Sequence, residues 1–486
     1  MRRVGFGFVL GAACVLSGCV MGPQYKRPAV EAPPAFRGQQ GAEPSSIADL
    51  PWWELFRDET LRGLIRSAIT NNKDLRVAVA RVEQARQFAA QAHAEYLPQV
   101  GYEAGVSEGK NQSLGNPAPI GGVRQGTAMA ALAATWEADV WGRIRRSNEL
   151  ALARYLQTEH ARRGVLLSLV SRVARGYFQL LDLDLRLDIA HRNLTAFEDT
   201  LNLFQERLNA GKASLLETAR AEAAVAMTAA TIPELERQIA IQENEIQILL
   251  GTVPGPIVRR GMLLEQTVPP EVPAGLPSSL LERRPDVREA ESNVQAANAQ
   301  IGIATAAYFP RIGLTALLGR VSSPLDEFVS GRASVWGVAA LAAGPIYTGG
   351  ALRAQKREAV AFWEESRIQY EQTVLGAFRD VSNALITREK LEATRARLAE
   401  AVTAYQAAVE VAQQRYRAGK SSYFEVLDAQ QQLFPAQNAL AVTERDRRLA
   451  LVQLYQALGG GWSLRDEEWG GPIPPGAGKG RPDARP

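Results

Sequence analysis

The sequence contains an internal duplication, and a duplicated chain is confined to folds that two related copies can build together. Residues Asp74 to Pro98 align without a gap on Asp286 to Pro310. The copies share Asp74/Asp286, Arg76/Arg288, Ala85/Ala297, Tyr96/Tyr308 and Pro98/Pro310, at a separation of about 212 residues. Further on the match resumes at about 208, where Arg207-Leu-Asn-Ala-Gly-Lys meets Arg415-Tyr-Arg-Ala-Gly-Lys and Leu250-Gly251 meets Leu458-Gly459. The slip of about four residues falls between Pro98 and Arg145, or between Pro310 and Arg353, and marks a loop whose length is free to vary.

Within each copy the hydrophobic period changes from helical to twofold and back. After Pro98, Val100, Tyr102, Ala104 and Val106 alternate with small or polar residues; a Gly/Pro/Asn-rich loop covers Gly109 to Gly126, and Ala128, Ala130, Leu132, Ala134 and Trp136 alternate on the return. In the second copy Ile312, Leu314, Ala316 and Leu318 alternate, and Ser334 to Ala343 returns less clearly. Strands are expected at about 99–108, 126–137, 311–320 and 333–344, a length suited to tilted strands crossing a bilayer. Four strands cannot close alone, and open edges are not tolerated in lipid, so a homo-oligomer is implied; three chains would supply twelve strands.

Long helices should follow each strand pair, forming hairpins at about 142–250 and 350–458. Leu194, Phe197, Leu201, Phe204 and Leu208 are spaced as a heptad seam, matched in the second copy by Val402, Tyr405, Val409, Ala412 and Tyr416. From Arg145 to Asn209 there is no proline, which allows a helix on the order of 100 Å long. Gly211 and Gly419 are expected as C′ glycines at tight turns, with return helices over Ser214–Leu250 and Ser421–Leu458. Pro233 and Pro435 lie inside the return helices at positions that do not correspond, and each should kink its helix or start a new segment.

The N-terminus reads as a secretory signal over residues 1–18: Arg2 and Arg3, an apolar run from Val4 to Val15, then Leu16-Ser17-Gly18 before Cys19. Cys19 is expected to be lipidated, and the Pro-rich stretch that follows makes residues 19–50 an extended, lipid-anchored tether. With Cys14 in the signal, the mature chain keeps no thiol for catalysis or metal. His93, His160 and His191 are too scattered for a local metal site. Charges are balanced, 55 Lys+Arg against 52 Asp+Glu, which gives no electrostatic case for nucleic acid. No catalytic motif emerges and no cofactor is implied; the scattered acids read as solvated helix faces.

One acidic cluster stands out. Glu425 and Asp428, three apart, share a helix face with Phe424 and would project together. In a symmetric oligomer they would form a carboxylate ring able to attract cations or constrict a pore, though early-turn acids also simply favour a helix N-terminus. The first copy has Glu217 opposite Glu425 but Arg220 opposite Asp428.

Several runs together carry a resemblance. They are Cys19-Val-Met-Gly-Pro-Gln-Tyr-Lys-Arg-Pro28, Trp136-Glu-Ala-Asp-Val-Trp-Gly-Arg143, Pro233-Glu-Leu-Glu-Arg-Gln-Ile239, Leu281-Glu-Arg-Arg-Pro-Asp286, Tyr308-Phe-Pro310, Arg415-Tyr-Arg-Ala-Gly419, Val426-Leu-Asp-Ala-Gln430 and Leu458-Gly-Gly-Gly-Trp462. Over nearly the whole mature chain the sequence resembles the trimeric outer-membrane efflux proteins of the TolC and OprM type, most closely the lipoproteins that serve resistance-nodulation-division pumps. The resemblance implies a mainly α fold with a membrane β part. It implies a homotrimer with a twelve-stranded outer-membrane barrel continuous with a periplasmic α-helical barrel, girdled by an equatorial belt. Its partners would be a periplasmic adaptor, an inner-membrane pump and outer-membrane lipid, and it would export drugs or other small toxic compounds without hydrolysing anything. Residue by residue, it implies a periplasmic gate at Phe424, Glu425 and Asp428, and adaptor-docking hairpin tips at Gly211, Lys212, Gly419 and Lys420. The first repeat would occupy 51–277, with an equatorial linker over 251–277, the second 278–458, and a C-terminal equatorial or disordered tail 459–486. A type I protein-secretion duct would share this architecture, and a non-channel structural lipoprotein remains a further alternative.

Overall fold

The computed structural model describes residues 20–39, 45–110, 112–113, 116–117, 124–266, 273–322, 328–329 and 334–471. The signal segment, Cys19 and the end of the tail from residue 472 lie outside the described residues. Two compact units are built from interleaved stretches of chain: one holds residues 1–29, 81–159 and 289–371, the other 30–80, 160–288 and 372–486.

The first unit carries the strands. β1 (Gln99–Lys110), β4 (Arg124–Ala138), β5 (Arg311–Ser322) and β6 (Ser334–Ala343) form one antiparallel sheet in the order β1-β4-β5-β6. The short β2 (Gln112–Ser113) and β3 (Asn116–Pro117) pair inside the first strand connection. The loop expected over Gly109–Gly126 is therefore shorter than its composition suggests, because backbone pairing persists through Lys110↔Arg124. Glycines weaken a strand without forbidding one. The register joins the four apolar alternations into one face. Tyr102 lies opposite Leu132, Leu132 opposite Leu318, and Leu318 opposite Trp336, and all four side chains are exposed. β1 and β6 are the unpaired edges.

Beneath the strands, the Trp136–Arg143 run makes the turn into helix. The Trp136 indole donates to the Tyr96 carbonyl, and the Trp141 indole donates to Pro310 while stacking on Phe309 at 4.7 Å. Asp139 accepts from the Ile144 and Arg145 amides, so the helix begins at Arg143 with its first free N–H groups satisfied. The tether residues that are described are extended, as their prolines require, but they dock against helices. Arg27 pairs with Glu291 at 2.5 Å, Arg146 donates to the Met21 carbonyl, and Gly22, at φ +88°, lies so close to Gly302 that a Cβ would meet its Cα at 2.5 Å.

The main α-helices among the described residues are α1 (Trp52–Leu55), α2 (Glu59–Asn71), α3 (Lys73–Ala94), α4 (Arg143–Asn209), α5 (Leu215–Leu249), α6 (Leu280–Arg283), α7 (Pro285–Ala306), α8 (Ala351–Arg417) and α9 (Tyr423–Ala457).

 α4 and α8 are 67 residues each, and α5 and α9 are 35 each, so the repeat preserves helix length to the residue. The strands begin one repeat spacing apart and the long helices another, which places the length slip in the strand connections. Both return helices run through their prolines, Pro233 and Pro435, without starting a new segment.

In the second unit, segments distant in sequence meet. Ile47 donates its amide to Pro273, Gly461 to Ala48, and the buried Trp52 indole to the Trp469 carbonyl, which ties the N-terminal stretch, the linker and the chain after Leu458 together. Tyr177 donates to Asp58, and Tyr455 to the Leu50 carbonyl; burial pushes both phenols upward.

Candidate functional site

The two hairpin tips fold by the same local rule. Gly211 and Gly419 take φ values of 68° and 67°, a left-handed conformation that costs glycine little. At each tip two backbone bonds close the helix end: Lys212 donates to Arg207 and Gly211 to Leu208 in the first, Lys420 to Arg415 and Gly419 to Tyr416 in the second. Lys212 and Lys420 stand exposed beside these turns.

The return helices then start differently. Ser214 caps α5, and Glu217 reaches back to the Ser214 amide at 2.8 Å, completing a reciprocal cap. Ser422 occupies the corresponding place before α9 without a side-chain capping bond, and Glu425 instead lies 3.4 Å from Arg415. Glu217 is engaged in its own helix cap, whereas its counterpart Glu425 faces a cation on the neighbouring helix.

The seam residues build the core of the tip. Phe197, Phe204, Ala221, Ala224, Ala412, Tyr423, Val426 and Leu427 form one buried cluster, with Leu201 and Tyr416 packed against it. Tyr423 is the residue that sequence reasoning missed. Its ring meets Phe204 edge-on at 4.3 Å, and its hydroxyl bonds to Thr200 at 2.7 Å and to Gln430 at 3.2 Å. Burial pushes its phenol up to about 12. Arg207 bonds the Tyr416 hydroxyl, a second link between hairpins. The available signal was its position beside the seam, one residue after the N-cap serine.

Phe424, Glu425 and Asp428 are all exposed on α9, but they divide between two settings. Phe424 and Asp428 line a groove of about 650 Å³ together with Arg220, Met227, Phe434 and Pro435, while Glu425 turns to Arg415. Arg220 lies over the Phe424 ring, 5.7 Å from its centroid. The repeat-equivalent positions 220 and 428 thus bring opposite charges to one groove.

Not every acid is a solvated surface group. Glu444 is buried and takes hydrogen bonds from Arg395, Arg447 and Arg448. Burial alone would raise its pKa, but those guanidinium groups overcome it and hold the carboxyl at about 2. Asp182, 1% exposed, pairs with Arg445 at 3.1 Å; there burial prevails and the pKa is raised. These contacts tie α9 to α8 and α4. Period alone hid them, because a helix position reads as polar whether water or arginine surrounds it.

The sequence profile described as "Outer membrane efflux protein" matches residues 64–252 and 276–460. The chain is 35% identical over 460 residues to the solvent efflux pump outer membrane protein SrpC of Pseudomonas putida, covering 93% of this chain and 97% of the relative. It is 31% identical over 453 residues to the cation efflux system protein CusC of Escherichia coli, with coverage of 93% and 97%. Among solved structures, the outer-membrane channel OprN superposes with a TM-score of 0.85 at 31% identity, covering 91% of this chain and all of that one. The two strand pairs, the two matched hairpins and this similarity along both repeats identify the chain as a member of the outer membrane efflux protein family.

Proposed function

We propose that this protein is the passive, gated outer-membrane duct of a tripartite efflux system, exporting drugs or other small toxic compounds handed to it by an inner-membrane pump and a periplasmic adaptor. The observation that carries the reading is the sheet: one continuous apolar face, two unpaired edges and an even number of antiparallel strands. An even count lets β6 of one copy pair antiparallel with β1 of the next. Three copies then close twelve strands and leave no edge exposed to lipid. The matched hairpins supply the helical wall. SrpC and CusC are named for solvent and cation efflux respectively, which supports a duct that accepts what its pump delivers.

In this reading Phe424, Glu425 and Asp428 narrow the periplasmic end, and the tips at Gly211-Lys212 and Gly419-Lys420 receive the adaptor. Neutralising the acids in a Glu425→Gln/Asp428→Asn variant raises single-channel conductance or weakens cation block in planar bilayers. Unchanged conductance and block would remove the gate assignment. Cys19 anchors the mature chain through its acyl groups; intact-mass measurement of the membrane-extracted protein should show that added mass, and an unmodified N-terminus refutes it.

A further inference from the structure

We propose that the groove between α5 and α9 binds a zwitterionic aromatic amphiphile of drug size, with Arg220 taking its carboxylate and Asp428 its ammonium group. The groove's volume, about 650 Å³, lies inside the range of small-molecule sites, about 300–1,000 Å³. Its walls include the apolar Met227, Phe434 and Pro435 and the ring of Phe424, a surface suited to a planar aromatic body.

The two charges are what select the ligand. Arg220 has the Phe424 ring as its described contact, and a guanidinium lying over a ring still presents its N–H fork to a carboxylate. Asp428 makes no hydrogen bond or ion pair among the described residues. Elsewhere on these helices exposed charges are commonly satisfied three or four residues away, as in Arg237 with Glu234 and Arg367 with Glu364. Asp428 has no such option, since the positions three and four residues away are Glu425 and Phe424 on one side and Gln431 and Gln432 on the other. Arg220 has Glu217 three residues before it, but that carboxylate is turned to the Ser214 cap. A ligand with one charge engages only one of the pair, whereas a zwitterion engages both.

The inference rests on the duct reading for placing the groove on the export path, but its test does not require transport. Norfloxacin, an intrinsically fluorescent aromatic zwitterion, is titrated against the purified full-length protein in detergent, with its ethyl ester as the cation and its N-acetyl derivative as the anion. Saturable norfloxacin binding is expected, with each singly charged analogue about tenfold weaker, the size of one lost charged hydrogen bond. Arg220→Ala should weaken norfloxacin and spare the ester; Asp428→Asn should weaken norfloxacin and spare the N-acetyl form. Met227→Trp, which fills the groove from an exposed position, should weaken all three. Absence of saturable binding by the unsubstituted protein overturns the proposal. Binding that survives every substitution also overturns it, by placing the ligand elsewhere and leaving the groove to a helical partner. Conductance that responds to the gate substitutions while norfloxacin fails to bind leaves the duct reading standing and removes only this one.

Discussion

Tyr423 and Phe424 are consecutive and face opposite ways: one is 5% exposed in the shared core of the tip, the other 59% exposed on the groove. Removing the hydroxyl with Tyr423→Phe costs about 1 kcal/mol for its hydrogen bonds. Tyr423→Ala adds a cavity, and large aromatic truncations of that kind cost about 3–5 kcal/mol. Thermal unfolding of the purified variants reads both, and an unshifted midpoint for Tyr423→Ala would contradict the packing role. The raised phenol pKa carries a sign: its contribution is complete below the ordinary value of 10.0 and is lost as pH climbs through about 12. Phe424, Glu425 and Asp428 were legible in sequence as neighbours on one face. Their division between a groove and Arg415 was not, because it depends on what α5 and α8 bring alongside.

Among elements, the seam and the turn glycines were readable because each is local. Spacing of three and four defines a helix face, and only a left-handed residue ends a helix with those paired backbone bonds. The alternating strands were readable too, although their common face needed the register. Two errors have physical causes. Glycine and asparagine between strands read as loop, yet the ladder reaches Lys110 and Arg124 because pairing is set by the partner strand. Glu444 and Asp182 read as surface acids, yet arginines from other elements neutralise them within the packed helices.

For the molecule as a whole, the proposed trimer would make assembly part of folding, since a lone copy exposes both edges and an apolar face. Cysteines placed on the two edges, one at Gly105 of β1 and one at Leu341 of β6, the repeat equivalents of the paired Leu317 and Ala133, should join neighbouring copies on oxidation. Denaturing gels are expected to show a ladder that ends at three chains; a ladder running past three, or cross-linking only within single chains, counts against the closed trimer. The equal hairpins have a consequence for altering this protein by design. A residue added to α4 or α5 would put that hairpin out of step with α8 and α9 at the core they share, so peptide tags and epitopes belong in the strand connections, where the two copies already differ in length.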